Sequence, residues 1–448
     1  SWSIQRADHG EQPCWAAIAL AAMLGQIGLP GAGIGFGYGA IHGIGMPRQR
    51  IPVPKLPCGS NPITDFIPVA RVTDMLLNPG GEFEFNGKNL TYPDARLVYW
   101  AGGNPFHKQQ DINRLLQAWR KPETIVFHEP WWTPAARRAD IVLPATTTLE
   151  RNDIFASALD NHFVAMKQAI DPVGEALSDH TIFTRLAERL GFAEQFTEGR
   201  NEMEWLRHLY DVARQQAAQG ENELPGFDLF WNAGHFEFSV PEDPSVPYTE
   251  FRADPAANPL KTPSGRIEIF SAKIESFEYD DCPGHPVWLE PAEWHGADKA
   301  KDYPLHVLSN QPRHRLHSQM DPGVVSQGAK IAGREPVHIN PDDADARGII
   351  DGDVVRIFND RGACLAGAKV SDAIRAGVIM LATGGWYDPT TAGEIGALDK
   401  QGNPNVLTLD KGTSRLAQSP SAQTALVEVE RYDSEAPSVD VYSAPAGA

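Results

Sequence analysis

The sequence predicts an α/β protein in which parallel-sheet parts are followed by a C-terminal β-barrel. Two observations carry this. Between residues 96 and 146, short apolar runs alternate with helical spacing across short connections. From about residue 303, short β-branched runs recur between turn signals. The composition is that of a folded chain: 42% of the 448 residues are hydrophobic and 22% charged, close to the globular average. At roughly 150 residues per domain, this length corresponds to about three domains or domain fragments.

Taken in order, residues 13–27 read as a buried helix stopped by Gly28 and Pro30. Its apolar run, 15–24, is shorter than the about 20 residues a membrane span needs, so no membrane span is predicted. Glycines 31, 33, 35, 37, 39, 43 and 45 follow. Within them, residues 35–40 satisfy the letters of a G-x-G-x-x-A dinucleotide fingerprint. That fingerprint requires a strand before it and a helix after it. Here a helix precedes, and Pro47 and Pro52 follow. The expectation is therefore a glycine-rich loop lying close to another backbone or a ligand.

Residues 96–100, 124–128 and 140–144 read as strands, with helical spacing at 111–119 and a short helix at 134–139. Strands alternating with helices over short connections imply a parallel, Rossmann-like sheet. Ligands in such sheets bind at the carboxyl ends of the strands, here 102–108, 128–133 and 145–153. Residues 179–190 and 202–218 read as helices. Residues 220–300, rich in Pro, acidic and aromatic residues without a clear period, read as long loops. Strands are expected at 305–308, 336–339, 352–358, 366–370 and 377–381, with a hairpin turn at 359–362. Their spacing suggests a closed barrel. The polar tail after Tyr432 is expected to fray.

Charge and motifs narrow the chemistry. Thirty-nine basic residues face 58 acidic ones, a net charge of −19. Such a surface repels phosphate backbones, so no nucleic-acid partner is expected, although a local basic pocket is not excluded. Cys14, Cys58, Cys282 and Cys364 form no C-x-x-C pair, which argues against a zinc ribbon, an iron–sulfur cluster or a disulfide scaffold. No G-x-S-x-G, P-loop or H-E-x-x-H occurs, so hydrolase and ATPase readings lack support. His314 and His317 have metal-ligand spacing, but Arg313 and Arg315 oppose a cation, and no metal site is expected. Three loop clusters remain: 100–111, 309–319, and 403–410 with 419–424. Each is dense in amides, hydroxyls, Arg or His, groups that recognise heteroaromatic edges and phosphate oxygens. Turn capping is the plain alternative for each cluster taken alone.

The motifs SWSIQRADHGEQ (1–12), YWAGGNPF (99–106), EPWWT (129–133), ADIVLP (139–144), LHSQMD (316–321), GREPVHINP (333–341) and NPNVLT (403–408) run through the whole chain in order. In these the chain resembles the molybdopterin oxidoreductases that reduce S-oxides and N-oxides, the dimethyl sulfoxide, trimethylamine N-oxide and biotin sulfoxide reductases. Members of that family are considerably longer. The resemblance therefore implies the C-terminal portion, about three-fifths, of such a protein. It implies the end of an N-terminal α/β region with the glycine-rich loop at 1–60 and a dinucleotide-binding α/β region at 61–220. Inter-domain loops at 221–300 are followed by a molybdopterin-dinucleotide-binding barrel of double-psi type at 301–432 and a flexible tail at 433–448.

The resemblance also implies the cofactor, molybdenum held by bis(molybdopterin guanine dinucleotide). On matching positions, Trp2, Ser3, Arg6, Asn104 and Lys108 would contact it. His128 and Glu129 would meet a ribose or guanine, and Arg151 and Asp179 guanosine. Ser309, Asn310, Gln311, Pro312, Arg315, His317, Ser318 and Gln319 would cradle pterin and pyrophosphate, with Asn405, Gln423 and Thr424 completing the cap. Lys108 departs from the paired histidines often found after Asn-Pro-Phe. The metal-ligating serine is expected upstream of Ser1, so the resemblance names no metal ligand and no catalytic residue in this chain. The implied reaction removes oxygen from an S-oxide or N-oxide, with two electrons and two protons yielding water. An external cytochrome or flavoprotein would supply the electrons, in a bacterial periplasm or cytoplasm, the periplasm being favoured. A formate-type dehydrogenase and an inactive dinucleotide-binding fragment are the alternatives.

Overall fold

The computed structural model describes residues 2–35, 53–157, 160–219, 223–239 and 246–445. All but the first residue of the 35–40 fingerprint letters lies outside them. Fourteen described strands occur: β1 (Glu82–Phe85), β2 (Lys88–Thr91), β3 (Leu97–Ala101), β4 (Thr124–Glu129), β5 (Ile141–Pro144), β6 (Asp153–Ala156), β7 (His162–Met166), β8 (His235–Glu237), β9 (Leu305–Leu308), β10 (Pro336–Ile339), β11 (Val354–Phe358), β12 (Ala363–Val370), β13 (Val378–Leu381) and β14 (Leu426–Arg431).

The predicted parallel sheet is present, in the order β3-β4-β5. Tyr99 lies opposite Val126, and His128 opposite Leu143. Helices Pro105–Lys108 and Ile112–Ala118 make the crossover between β3 and β4. Asn104 and Asp111 cap them, accepting from the backbone N–H of Phe106 and Arg114. The stretch expected as a helix at 134–139 is only a 3-10 turn, Ala136–Arg138.

The barrel is closed, in the order β10-β12-β11-β14-β9-β13. Two of its pairings, β10–β12 and β13–β9, are parallel, and the rest antiparallel. Every expected barrel strand is found, and the 359–362 turn joins β11 to β12. Strand β14, not anticipated, closes the barrel between β9 and β11. Barrel and sheet share one core. Phe106, Ile112, Leu115, Trp119 and Phe127 pack in the same buried cluster as Val337, Ile339, Ile357, Ala366 and Leu407. The loops at the end of the sheet are thereby pressed against those of the barrel.

Three expectations are corrected. The first helix is Glu11–Met23, not 13–27, because Gly25 takes φ 65° and ends it early. Region 221–300 is not only loops: helix Phe227–Ala233 and β8 belong to a second core with Phe163, Leu206, Tyr210 and Phe238, and β8 completes the antiparallel sheet β6-β7-β8. The hairpin β1–β2 was also not anticipated. The tail does not fray over 433–445. Val441 is buried, Lys400 Nζ donates to Asp440 Oδ1 at 2.7 Å, Arg334 donates to the Pro437 carbonyl, and Tyr442 Oη donates to Asp321 Oδ2 at 2.9 Å. An apolar anchor and satisfied polar partners make that docking favourable.

No described helix is long and apolar enough to cross a membrane. Among the described residues no group of three His, Cys, Asp or Glu could hold a metal ion.

Candidate functional site: a cationic seam between sheet and barrel

The loop after β3 meets the loop after β9. Asn104 is buried. Its Oδ1 accepts from Phe106 N–H at 3.1 Å, and its Nδ2 donates to Ser318 Oγ at 3.5 Å. Gln423 fastens the start of the barrel loop. Its Oε1 accepts from Ser309 N–H at 3.0 Å, its Nε2 donates to the Ser309 carbonyl at 2.7 Å, and its own N–H donates to the Arg6 carbonyl at 2.8 Å. The Ser3 carbonyl accepts from Arg6 N–H at 2.9 Å within the turn Trp2–Gln5. Thr424 Oγ1 accepts from Asp8 N–H at 2.8 Å. The N-terminal turn, the sheet loop and the barrel loop thus converge.

At their meeting point lies His107, which sequence reasoning did not select. It is buried, 5.4 Å from the His317 ring, and Thr383 Oγ1 lies 3.4 Å from its Nδ1. Burial, then His317, Lys108, Arg315 and Arg6, push its pKa down to about 3. Burial, Arg6 and Lys108 likewise lower that of His317. Both imidazoles feel uncompensated positive charge. Among the described residues neither Arg6 nor Lys108 has a carboxylate within ion-pair distance, in a chain whose net charge is −19. A seam of this kind attracts an anion.

The barrel loop is held in a strained, defined shape. His317 takes φ 53°, a conformation rarely left unsupported in a non-glycine residue. Gln311 supports it: its Oε1 accepts from His317 N–H at 3.0 Å, and its Nε2 lies 2.8 Å from His317 Nδ1. Gly384 has φ 100°, and a Cβ there would stand 1.9 Å from the His317 carbonyl oxygen, so only glycine fits. Ser318 accepts from Trp386 Nε1 at 3.0 Å through its carbonyl. Asn310 accepts from Thr383 N–H at 2.9 Å through its carbonyl, while Pro312 is half-buried and Gln319 exposed.

Two of the expected contact residues have their side chains engaged within the protein. The Arg315 side chain is 0% exposed and lies 3.4 Å from Asp321 and 3.1 Å from Glu335, the carboxylates also paired with Lys330. Its Nε donates to the His317 carbonyl at 3.2 Å, and Nη2 to that of Thr383 at 3.1 Å. It shapes the loop; its guanidinium is already satisfied. Asn405 is buried, donating to the His107 carbonyl at 2.5 Å and accepting from Thr408 Oγ1 at 3.1 Å. It fixes His107 from beneath.

A second cluster stands at the carboxyl end of β4. His128 is buried, its Nδ1 2.8 Å from Asp179 Oδ1 and its Nε2 2.6 Å from Tyr99 Oη. Both ring nitrogens have partners within the protein. Glu129 accepts from Thr133 Oγ1 at 3.1 Å, and burial raises its pKa to about 7. Asp179 is the first residue of helix Asp179–Leu190, capped by Ser178, and its side chain is 60% exposed. Arg151 pairs with Asp153. Among the described residues no hydrogen bond or ion pair joins Arg151 to either cluster.

Residues 1–189 match the family described as Molybdopterin oxidoreductase, and residues 305–426 match the Molydopterin dinucleotide binding domain. The two matches fall on the sheet and the barrel that form the seam. Over both regions the chain matches the molybdopterin oxidoreductases. It is 50% identical over 446 residues to a biotin sulfoxide reductase of Cereibacter sphaeroides, across 99% of this chain and 59% of that protein. It is 51% identical to a dimethyl sulfoxide/trimethylamine N-oxide reductase of the same organism, across 100% of this chain and 56% of the relative. The chain thus spans less than two thirds of these curated relatives. Acetylene hydratase from Pelobacter acetylenicus superposes with a TM-score of 0.60 at 18% identity, over 81% of this chain and 46% of its own, a likeness of fold alone.

The residues present fit the dinucleotide such a family carries. Arg6 and Lys108 have no acidic partner among the described residues and suit phosphate oxygens. Asp179 offers an open carboxylate edge able to accept two N–H donors.

Proposed function

We propose that this chain holds bis(molybdopterin guanine dinucleotide) within a molybdenum-dependent oxidoreductase that removes an oxygen atom from an S-oxide or N-oxide. The observation that carries it is the seam where Arg6 and Lys108 flank His107 and His317, two cations with no acidic partner among the described residues of an acidic chain. Near-50% identity to S-oxide and N-oxide reductases favours that reaction over a formate-type dehydrogenase. The cofactor, when bound, supplies two-electron oxygen-atom chemistry.

The protein supplies binding and orientation. Arg6 and Lys108 would neutralise pyrophosphate. The backbone of 309–312 and 317–319, held by Gln423, Gln311 and Arg315, would present amides and carbonyls to the pterin. Glu129 would meet a ribose hydroxyl, and Asp179 guanine. His107, held neutral, keeps the seam's charge on the two flexible cations. Arg151 would meet guanosine by exchanging its bond to Asp153. An external cytochrome or flavoprotein as electron donor, and a bacterial periplasm or cytoplasm with the periplasm favoured, belong to the same proposal.

The test is molybdenum and GMP released by acid from the protein purified from its source. About one molybdenum and two GMP per protein, with turnover of dimethyl sulfoxide or trimethylamine N-oxide, are expected. Absence of GMP would overturn the reading.

A further inference from the structure

The cluster at the end of β4 does more than fill space. A carboxylate can only accept, so His128 Nδ1 carries the hydrogen shared with Asp179 at 2.8 Å. The Tyr99 hydroxyl lies 2.6 Å from the other ring nitrogen, Nε2. The imidazole side chain is 1% exposed, whereas Asp179 is 60% exposed. The His128 ring lies 5.3 Å from the Tyr99 ring and 4.9 Å from that of Phe183, one turn along the helix that Asp179 begins. Ser178, not Asp179, caps that helix, accepting from Thr181 N–H at 3.2 Å. The Asp179 carboxylate is therefore spare. Among the described residues its Oδ2 has no hydrogen-bond partner, and Oδ1 keeps a second lone pair.

We propose that Tyr99 and His128 are positioning residues for base selectivity, locking Asp179 so that both its oxygens meet the N1–H and 2-amino group of a guanine. This rests on the dinucleotide reading above and names the groups that would make its base recognition selective. An exposed aspartate left alone samples several rotamers, and ordering it on binding costs affinity. Held by His128, it is ordered beforehand. Hypoxanthine, lacking the 2-amino group, would leave one carboxylate oxygen without its donor. Adenine would present a lone pair at N1 to a negative charge. The selectivity depends on both oxygens being placed, so the relay behind the carboxylate sets it.

The experiment uses apoprotein of the native chain, made in a host unable to synthesise the cofactor, and titrated with GDP, IDP and ADP by equilibrium dialysis. Wild type is expected to prefer GDP to IDP by about tenfold. In Tyr99→Phe and His128→Gln that preference falls about threefold to tenfold, the loss of one oriented hydrogen bond. GDP, which uses both oxygens, weakens more than IDP, which uses one. Equal weakening of both nucleotides would mark general unfolding and overturn the proposal. So would an unchanged preference in both variants while Asp179→Asn abolishes it, an outcome that leaves the dinucleotide reading standing. A wild type that binds neither GDP nor IDP overturns both.

Discussion

Tyr442 reaches back 121 residues to donate a hydrogen bond to Asp321 Oδ2 at 2.9 Å. The same oxygen accepts from Trp386 N–H at 3.1 Å and Gln401 Nε2 at 3.1 Å. Asp321 is paired in turn with Arg315 and Lys330. The C-terminal tail thus secures the ion network that shapes the 309–319 loop. Tyr442→Phe should destabilise the protein by about 1–2 kcal/mol, the cost of a buried hydrogen bond to a charged group lost from one side. Urea unfolding midpoints measure it. An unchanged midpoint would show that the tail does not support the loop.

Glu335 carries a larger burden. With Asp321 it is one of two carboxylates facing Arg315 and Lys330, and all four side chains are at most 2% exposed. Glu335→Ala leaves two buried cations with one acid, at a cost of about 3–5 kcal/mol. Glu335→Met with Lys330→Met should recover much of that loss, because an apolar pair of similar volume replaces an ionic one. Thermal melts of the single and double variants decide the point.

Arg6 and Lys108 should act on cofactor retention rather than on stability. Each charge-assisted contact to phosphate contributes about 1.5–3 kcal/mol. Arg6→Ala or Lys108→Ala should therefore lower dinucleotide affinity by roughly 10- to 100-fold, with a weaker dependence on salt. GMP content after gel filtration at two ionic strengths is the readout. Retained GMP in both variants would place the phosphates elsewhere.

Glu129 predicts a pH effect. Burial raises its pKa to about 7 from the ordinary 4.5. Between those values the folded state holds a proton that the unfolded state has released, so this group's contribution to stability falls as pH rises from about 4.5 to 7. Glu129→Gln removes that slope. The variant should gain roughly 1–3 kcal/mol on wild type at pH 8 and nothing at pH 4. Chemical denaturation across that range tests it; a gain independent of pH would contradict the assignment.

Local runs made much of the fold legible. Strands β3, β4 and β5 are continuous apolar runs bounded by turn residues, and their order in the sheet follows from short crossovers. Strand β14 alternates Val427 and Val429 with Glu428 and Glu430, a signal present but passed over. Strand β8 had no such signal, since three residues become a strand only by pairing with β7. In the site, Asn104, Lys108, Gln423 and the 309–319 loop lay in polar loop clusters, and Asp179 followed from the family resemblance alone. His107 was overlooked beside Lys108, because burial rather than residue type sets its role.

The sequence by itself determined the class of fold, the loops that carry polar chemistry and the family that the chain resembles. Residue type, spacing and order are local properties, and they survive without coordinates. Only the tertiary structure decided which polar groups stay open and which face one another. Arg315 turns inward because Asp321 and Glu335 arrive there from other parts of the chain. His128 becomes a buried link because Tyr99 and Asp179 approach it from a neighbouring strand and a helix. The tail docks because Asp321 and Lys400 await it. Each depends on contacts between residues far apart in sequence, and a buried charge or donor takes its orientation from whichever partner satisfies it.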